Sequence, residues 1–509
     1  MFIGYKMNPG SGSVTVKTGG SQLEQVIQLI ESRYVDSVDR QEIYGEGIQA
    51  MLSQLDPYSS FIPAADFEQV NQPLEGNFEG VGIEFYRLND TILVVGAISG
   101  GPSEAVGIRA GDKIVVVDGE DVTGPDFTNE DVIKRLRGPK GSKVKVDIVR
   151  RGSGKVLPFT ITRGRIPIYS VDVAYRPAAE VGYIKINKFS ATTAEEFQKA
   201  FLKLAGDGPM KSLILDLRGN PGGYLDAAIR LCDEFLGNEL LITYTEGRAQ
   251  PRRDYKATRS GLFEKGQVIV LIDEGSASAS EIVAGAIQDQ DRGLLIGRRS
   301  FGKGLVQEQF GMADGSAVRL TVARYYTPSG RSIQKPYVKG ESEDLFERFT
   351  HGEFFSRDSI QVNDSLAFKT KNGRTVYGGG GIIPDVFVGA DTSSFGPLLN
   401  QLFNSGLLVD FSYTLADRER SRLLPLGSAK KFISGFEPDD KMIKALLEEA
   451  KAEGISFTPV QLQKEAAQIK RYLKAYVGRQ LFGNEAFYPV VNENDLAFLE
   501  ALQKSQEQR

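Results

Sequence analysis

One imidazole serves the whole chain. His351, in a polar stretch, is the single histidine among 509 residues, so a serine nucleophile in this protein needs a different base, and lysine is the obvious candidate. Cysteine is equally scarce. Cys232 alone excludes an internal disulfide and is compatible with cytosol or periplasm. It lies in the helical apolar pattern Ala227 to Leu236 and reads as a packing residue. No run of about 18 apolar residues occurs, as a membrane-spanning helix requires, and Met1 to Lys6 is too short for a signal-peptide core. The chain therefore reads as soluble, or as the exported part of a longer precursor, because Asn8 to Gly20 has linker composition. A basic excess is missing too: the net charge of −5 carries no footprint for nucleic acid, which leaves peptide or small-molecule chemistry.

What is present is ordinary globular material, 41% hydrophobic and 25% charged, long enough for roughly three or four domains. Leu23, Val26, Ile27, Ile30 and Tyr34 share one helical face after a serine cap at Ser21. A second helix is expected from about Ile43 to Leu55, stopped at Asp56-Pro57-Tyr58-Ser59 because proline disfavours helical geometry in the residue before it. Between Phe78 and Ile161 short β-rich runs alternate with glycine turns, with one helical pattern near Asn129 to Leu136, which predicts a small barrel-like module. Beyond Val181, apolar strands (Gly182 to Ile186, Leu213 to Leu217, Val268 to Ile272, Leu294 to Ile296) alternate with helical runs, the pattern of an α/β core covered on both faces. Ala317 to Tyr325 adds a strand, the polar segment Lys335 to Arg374 has the look of an insert, and helical patterns dominate after Asp391. That tail is expected to form a separate helical domain.

Two strand ends carry the chemistry. Gly275-Ser276-Ala277-Ser278-Ala279-Ser280-Glu281-Ile282 comes straight off one apolar run, and Phe301-Gly302-Lys303-Gly304 follows the next. A nucleophile at a strand-to-helix turn is exposed at the carboxyl edge of the sheet, with the first helical N–H groups, from Ala279 onward, pointing at whatever it attacks. A second oxyanion donor is available from Arg218-Gly219-Asn220-Pro221-Gly222-Gly223, which follows another strand. Neighbouring parallel strands would bring Lys303 beside Ser278. An ordinary lysine, with a pKa of about 10.4, is a poor base at neutral pH, so desolvation must lower it to roughly 7 to 8. Gln307, four residues on, is placed to orient the amine without adding charge.

Three competing patterns fail on chemistry. Gly297 to Gly304 fits the first seven positions of a phosphate loop, but Gly304 stands where the magnesium-binding hydroxyl belongs and no helix pattern follows. Ser300-x-x-Lys303 would need one helical turn, which Gly302 and Gly304 oppose, and Ser428-x-x-Lys431 lies in a polar tail without an oxyanion-type turn.

The string Ser276 to Ile282, the string Phe301-Gly302-Lys303-Gly304-Leu305-Val306-Gln307 and the turn Asp216 to Gly223 closely resemble the carboxyl-terminal processing peptidases, also called tail-specific proteases, with a likeness running from about Leu23 to Val388. The resemblance implies a multidomain α/β protein: a linker or leader remnant over 1–20, an N-terminal helical segment over 21–75, a PDZ domain over 76–165, an enoyl-CoA hydratase-like peptidase core over 166–390 with the insert at 335–374, and a C-terminal helical domain over 391–509. It implies Ser278 as nucleophile, Lys303 as general base and Gln307 as its support, with oxyanion amides from Ala279 and from Gly222 or Gly223. Gly80-Val81-Gly82-Ile83 matches the carboxylate-binding loop of a PDZ domain, which takes an extended peptide end by strand addition. Arg137 matches a position implicated in coupling that domain to the active site; the alternative is a plain surface arginine. Asp56 to Ser59 matches a turn read as structural.

The implied activity is that of a serine endopeptidase with a Ser-Lys dyad, needing no metal or organic cofactor and acting on proteins with apolar C-terminal tails. The rival is a catalytically silent PDZ scaffold that binds peptides, although this chain keeps the serine, the lysine and the glutamine. The resemblance further implies a bacterial cell-envelope location, periplasmic and inner-membrane associated, with a part in signal transduction. It leaves room for a homo-oligomer and for a membrane tether outside this chain.

Overall fold

The structure, a computed structural model, describes residues 22–507 apart from 89, 99, 126, 151–154, 337–343 and 392–395. The linker expected over 1–20 and the serine cap at Ser21 lie outside the described residues. Two compact units emerge. One holds the described residues up to Glu68 together with Gln307–Thr321, and the other holds nearly all the rest.

In the first unit, helices Gln22–Arg33 and Arg40–Leu52 follow one another. The second begins and ends three residues earlier than its apolar pattern predicts, because Asp39 caps it by accepting the N–H groups of Gln41 and Glu42. The Asp56 carboxylate, buried, collects the Tyr58 and Ser59 amides and the Ser59 hydroxyl, making the Asp-Pro-Tyr-Ser turn self-satisfied. It leads into strand Ser60–Ile62, antiparallel to residues 317–319.

Hydrophobic clusters mark three regions among the described residues of the larger unit. Five strands from Ile83 to Thr162, with the short Glu120–Asp121 strand, form a six-stranded antiparallel sheet. It closes over helix Asn129–Leu136 around Ile114, Val144, Val146 and Ile161. That helix keeps its predicted bounds, since Thr128 and Asp131 form a reciprocal capping box. A second six-stranded sheet runs in the order Val171–Ala178, Val181–Ile186, Ser212–Asp216, Gln267–Ile272, Gly293–Gly297, Val386–Phe387, with every pairing after the first parallel. Its strands are apolar throughout because both faces are covered. Helices Thr193–Gly206, Leu225–Cys232 and Ala279–Asp289 pack with one face. The other face receives Ala497, Phe498 and Ala501 of the last helix, Leu496–Gln506.

Cys232 is fully buried in the first of these clusters and its thiol is pushed up by desolvation, as a packing residue should be. The third region is helical, built from Pro397–Asn404 to Asn484–Asn492 around Leu399, Phe411, Phe432 and Leu473.

Candidate active site

Three turns leave the carboxyl ends of adjacent parallel strands, in register at Asp216 with Leu271 and at Ile272 with Gly297. They are the glycine turn 218–223, the serine turn 275–278 and the lysine loop 298–304. Ser278 closes the second turn with φ 53° and ψ −111°, a conformation that non-glycine residues rarely adopt, and helix Ala279–Asp289 starts at the next residue. The Ala279 N–H therefore has no acceptor inside its own helix.

A single buried carboxylate ties serine turn to lysine loop. Glu281 is fully buried; its Oε2 accepts the backbone amides of Ser278 at 2.8 Å and of Lys303 at 2.9 Å. Its Oε1 accepts the Gly302 amide at 2.6 Å and the Ser300 hydroxyl at 2.5 Å. Burial pushes the Glu281 carboxyl up, and the four donors, Ser300 foremost, oppose that rise. The Phe301 amide also donates to the Ser276 carbonyl at 3.0 Å. The Ser278 carbonyl accepts the Tyr325 hydroxyl at 3.2 Å.

The glycine turn is bound to the serine turn with the same economy. The Asn220 carbonyl accepts both the Ala277 amide and the Ser280 hydroxyl at 2.9 Å, and Ser276 donates to the Leu217 carbonyl. A Cβ on Gly222 would stand 2.8 Å from the Ser278 Cβ and 2.9 Å from the Ala279 nitrogen, so only glycine fits there. The Gly222 N–H already donates to Asn220 Oδ1 at 2.9 Å. Next to it Gly223 is exposed, and among the described residues its N–H has no partner.

The insert braces the lysine loop from outside. Arg348, buried on helix Asp344–Thr350, donates to the carbonyls of Arg299 at 2.8 Å and Ser300 at 3.2 Å, while Glu353 pairs with both Arg348 and Arg299. His351 lies exposed just beyond that helix. Gln307 belongs to the first unit, where its amide donates to Thr321 at 3.2 Å. Gly304 leads directly into strand Leu305–Gly311, so the phosphate-loop pattern lacks its helix, and Ser428 caps helix Ala429–Gly435. Among the described residues no group of three or more His, Cys, Asp or Glu side chains is set to hold a metal ion.

Away from these turns, Ile83–Leu88 is an edge strand of its sheet. In the loop before it the Val81 carbonyl accepts the Ser103 amide and hydroxyl, the Gly82 carbonyl accepts the Ile98 amide, and Gly82 has φ +74°. Arg137 ends helix Asn129–Leu136, donates to Gln72 at 3.3 Å and lies 5.1 Å from the Phe78 ring centre.

The profile of peptidase family S41 matches residues 180–343, and a PDZ domain profile matches residues 93–150. The carboxy-terminal-processing protease of Bartonella bacilliformis is 39% identical over 313 residues, 61% of this chain and 71% of that one. The chain belongs to the carboxy-terminal processing proteases. It is a serine-type peptidase of multidomain α/β build with a PDZ domain and with helices at both ends. The family likeness recurs with CtpB of Bacillus subtilis, 35% identical over 355 residues, 69% of this chain and 72% of that one. Residues 9–65 match the profile of the activating protease CtpB N-terminal domain, and 398–483 match a family of unknown function. Among solved structures, a photosystem II D1 C-terminal processing protease aligns at 27% identity and TM-score 0.37, over 72% of this chain and 87% of that one.

Sequence reasoning passed over Glu281 and Arg348. A signal for the first was in plain view, since Ser278-x-x-Glu281 ahead of an apolar run is a capping-box pattern. Arg348 reaches its loop across a chain separation of 48 and 49 residues, which no local pattern records.

Proposed function

We propose that this protein is a serine endopeptidase that processes the C-terminal tails of proteins with a Ser278–Lys303 dyad. What supports the reading above all is the shared Glu281 carboxylate, which binds the amides of both residues on one oxygen. In this reading Ser278 Oγ attacks the peptide carbonyl as Lys303 Nζ takes its proton. The oxyanion forms against the N–H groups of Ala279 and Gly223, the Gly222 N–H being engaged by Asn220. Lys303 then protonates the leaving amine, and water hydrolyses the acyl-enzyme. Gln307 orients the amine through its side-chain oxygen.

The tail enters by strand addition along Ile83–Leu88, its carboxylate held by Gly80, Val81, Gly82 and Ile83, and Arg137 relays occupancy to the peptidase. The boundaries set out above, 76–165 for the PDZ domain and 166–390 for an enoyl-CoA hydratase-like core, belong to the same proposal. So does a periplasmic location. No described helix is long and apolar enough to cross a membrane, and the relatives are bacterial processing proteases.

The experiment compares wild type, Ser278→Ala and Lys303→Ala on an unfolded protein with an apolar C terminus, following cleavage by gel and tail binding by fluorescence anisotropy. Both variants are expected to lose at least about 1000-fold in kcat while binding tails as the wild type does. Equal cleavage by all three would overturn the dyad. Binding with no cleavage by any of them would leave a peptide-binding scaffold.

A further inference from the structure

We propose that Asp495, at the start of the last helix, is a positioning residue for the oxyanion turn, acting through Arg218; this rests on the peptidase reading above. Arg218 opens the glycine turn, and its guanidinium bridges two carboxylates. Nε and Nη2 meet Asp216 at 3.0 and 2.6 Å, while Nη1 meets both oxygens of Asp495 at 2.8 and 2.7 Å.

The charges explain why one carboxylate is not enough. Asp216, 1% exposed, also accepts the Tyr183 hydroxyl at 2.7 Å and has Lys185 at 3.6 Å. Two cations thus share a single buried anion until Asp495 supplies the second, and a buried charge left without a partner is costly enough to move the group that bears it. Arg218 cannot move alone. Its amide donates to Asp216 and its carbonyl accepts Lys185 Nζ at 3.0 Å. The next residue, Gly219, donates its amide to Asp273 at 2.8 Å. From there the turn runs through Asn220 to Gly222, packed on the Ser278 Cβ.

Asp495 is fixed in its turn. It caps its helix by accepting the Phe498 amide at 2.7 Å, and the helix buries Ala497, Phe498 and Ala501 against the sheet. At the far end the Lys504 and Ser505 carbonyls accept Gln267 and Ser212, at the starts of two sheet strands. The helix therefore spans the sheet with its first residue at the edge where the glycine turn begins. It lies beyond residue 483, where the match to the family of unknown function ends.

The test uses the full chain. Asp495→Asn keeps an equally good helix cap but removes the charge; Asp495→Glu keeps the charge; Phe432→Ala, in the core of the helical domain, destabilises the chain away from Arg218 and the last helix. We measure kcat and KM on a tailed substrate, the rate at which a fluorophosphonate labels Ser278, and Tm. Asp495→Asn is expected to lose about tenfold or more in kcat and labelling rate, with KM within about twofold and Tm within about 4 °C. Asp495→Glu should recover part of the loss. Phe432→Ala should lower Tm while leaving kcat, measured well below melting, near the wild-type value.

Wild-type kcat and labelling in Asp495→Asn would overturn the proposal, as would an equal kcat loss in Phe432→Ala. A wild type that neither cleaves nor labels would instead remove the peptidase reading, and this inference with it.

Discussion

Ser278 holds a backbone conformation that costs roughly 1–3 kcal/mol, and the residue that keeps it there is Glu281. Each Glu281 oxygen accepts two donors, which a glutamine cannot imitate because its amide nitrogen would face N–H groups. Glu281→Gln is therefore expected to lose about 100-fold in kcat and about 2–4 kcal/mol of stability, read from steady-state kinetics and urea unfolding. Part of the pH profile follows from the same carboxyl. Burial raises its pKa above the ordinary 4.5, and protonation removes acceptor capacity that both turns need. Lys303, as the base, sets the first acid limb; as pH falls further, through the raised Glu281 value, the loss of activity should steepen from one proton to two above pH 4.5, and a profile that stays one-proton down to that pH would contradict this role for Glu281. Much of this was legible in the chain. With one imidazole and a glycine-flanked lysine, the serine had an obvious companion; the carboxylate behind them was not, because a buried acceptor is chosen by the donors that packing brings to it.

Among the elements, the strongly patterned helices were the most readable, and caps decided their ends. Asn129–Leu136 keeps its predicted limits through a capping box, whereas Arg40–Leu52 was displaced by Asp39. Contacts between elements left no such trace. Helix Leu407–Leu423 sets Tyr413 against Tyr86 of strand Ile83–Leu88, ring centres 5.1 Å apart, over Leu93 and Val95. This contact covers the outer face of Ile83–Leu88, while Ile83 and Phe85 of the same strand pack toward the domain's own core. Tyr413→Ala should release that face. Amide exchange in Ile83–Leu88 and Thr91–Ala97 is expected to quicken about tenfold, while the peptidase strands keep their protection. Unchanged exchange in both strands would show that the contact bears no load.

For the molecule as a whole, acid is the informative stress. Burial alone would raise the Asp216 carboxyl, but Arg218 and then Lys185 hold it well below its ordinary value. A folded carboxyl with a depressed pKa adds stability that is complete above the unfolded pKa and lost as pH falls through the folded one. Asp216→Asn should therefore melt lower than wild type at neutral pH. The gap in Tm should narrow only below the unfolded value of 3.8, followed by circular dichroism; a gap independent of pH would place the effect in packing.

Sequence alone carried the family resemblance that names the reaction class, and it placed a glycine turn, a serine turn and a lysine loop in that order, each on a recognisable strand end, because those features depend on residue type and short-range periodicity. Tertiary structure decided the rest. It engaged the Gly222 N–H and left that of Gly223 open, joined two turns on Glu281, and set Asp495 against Arg218 across 277 residues. Such pairings follow from where burial leaves a charge or a donor unsatisfied, and only the packed chain determines that.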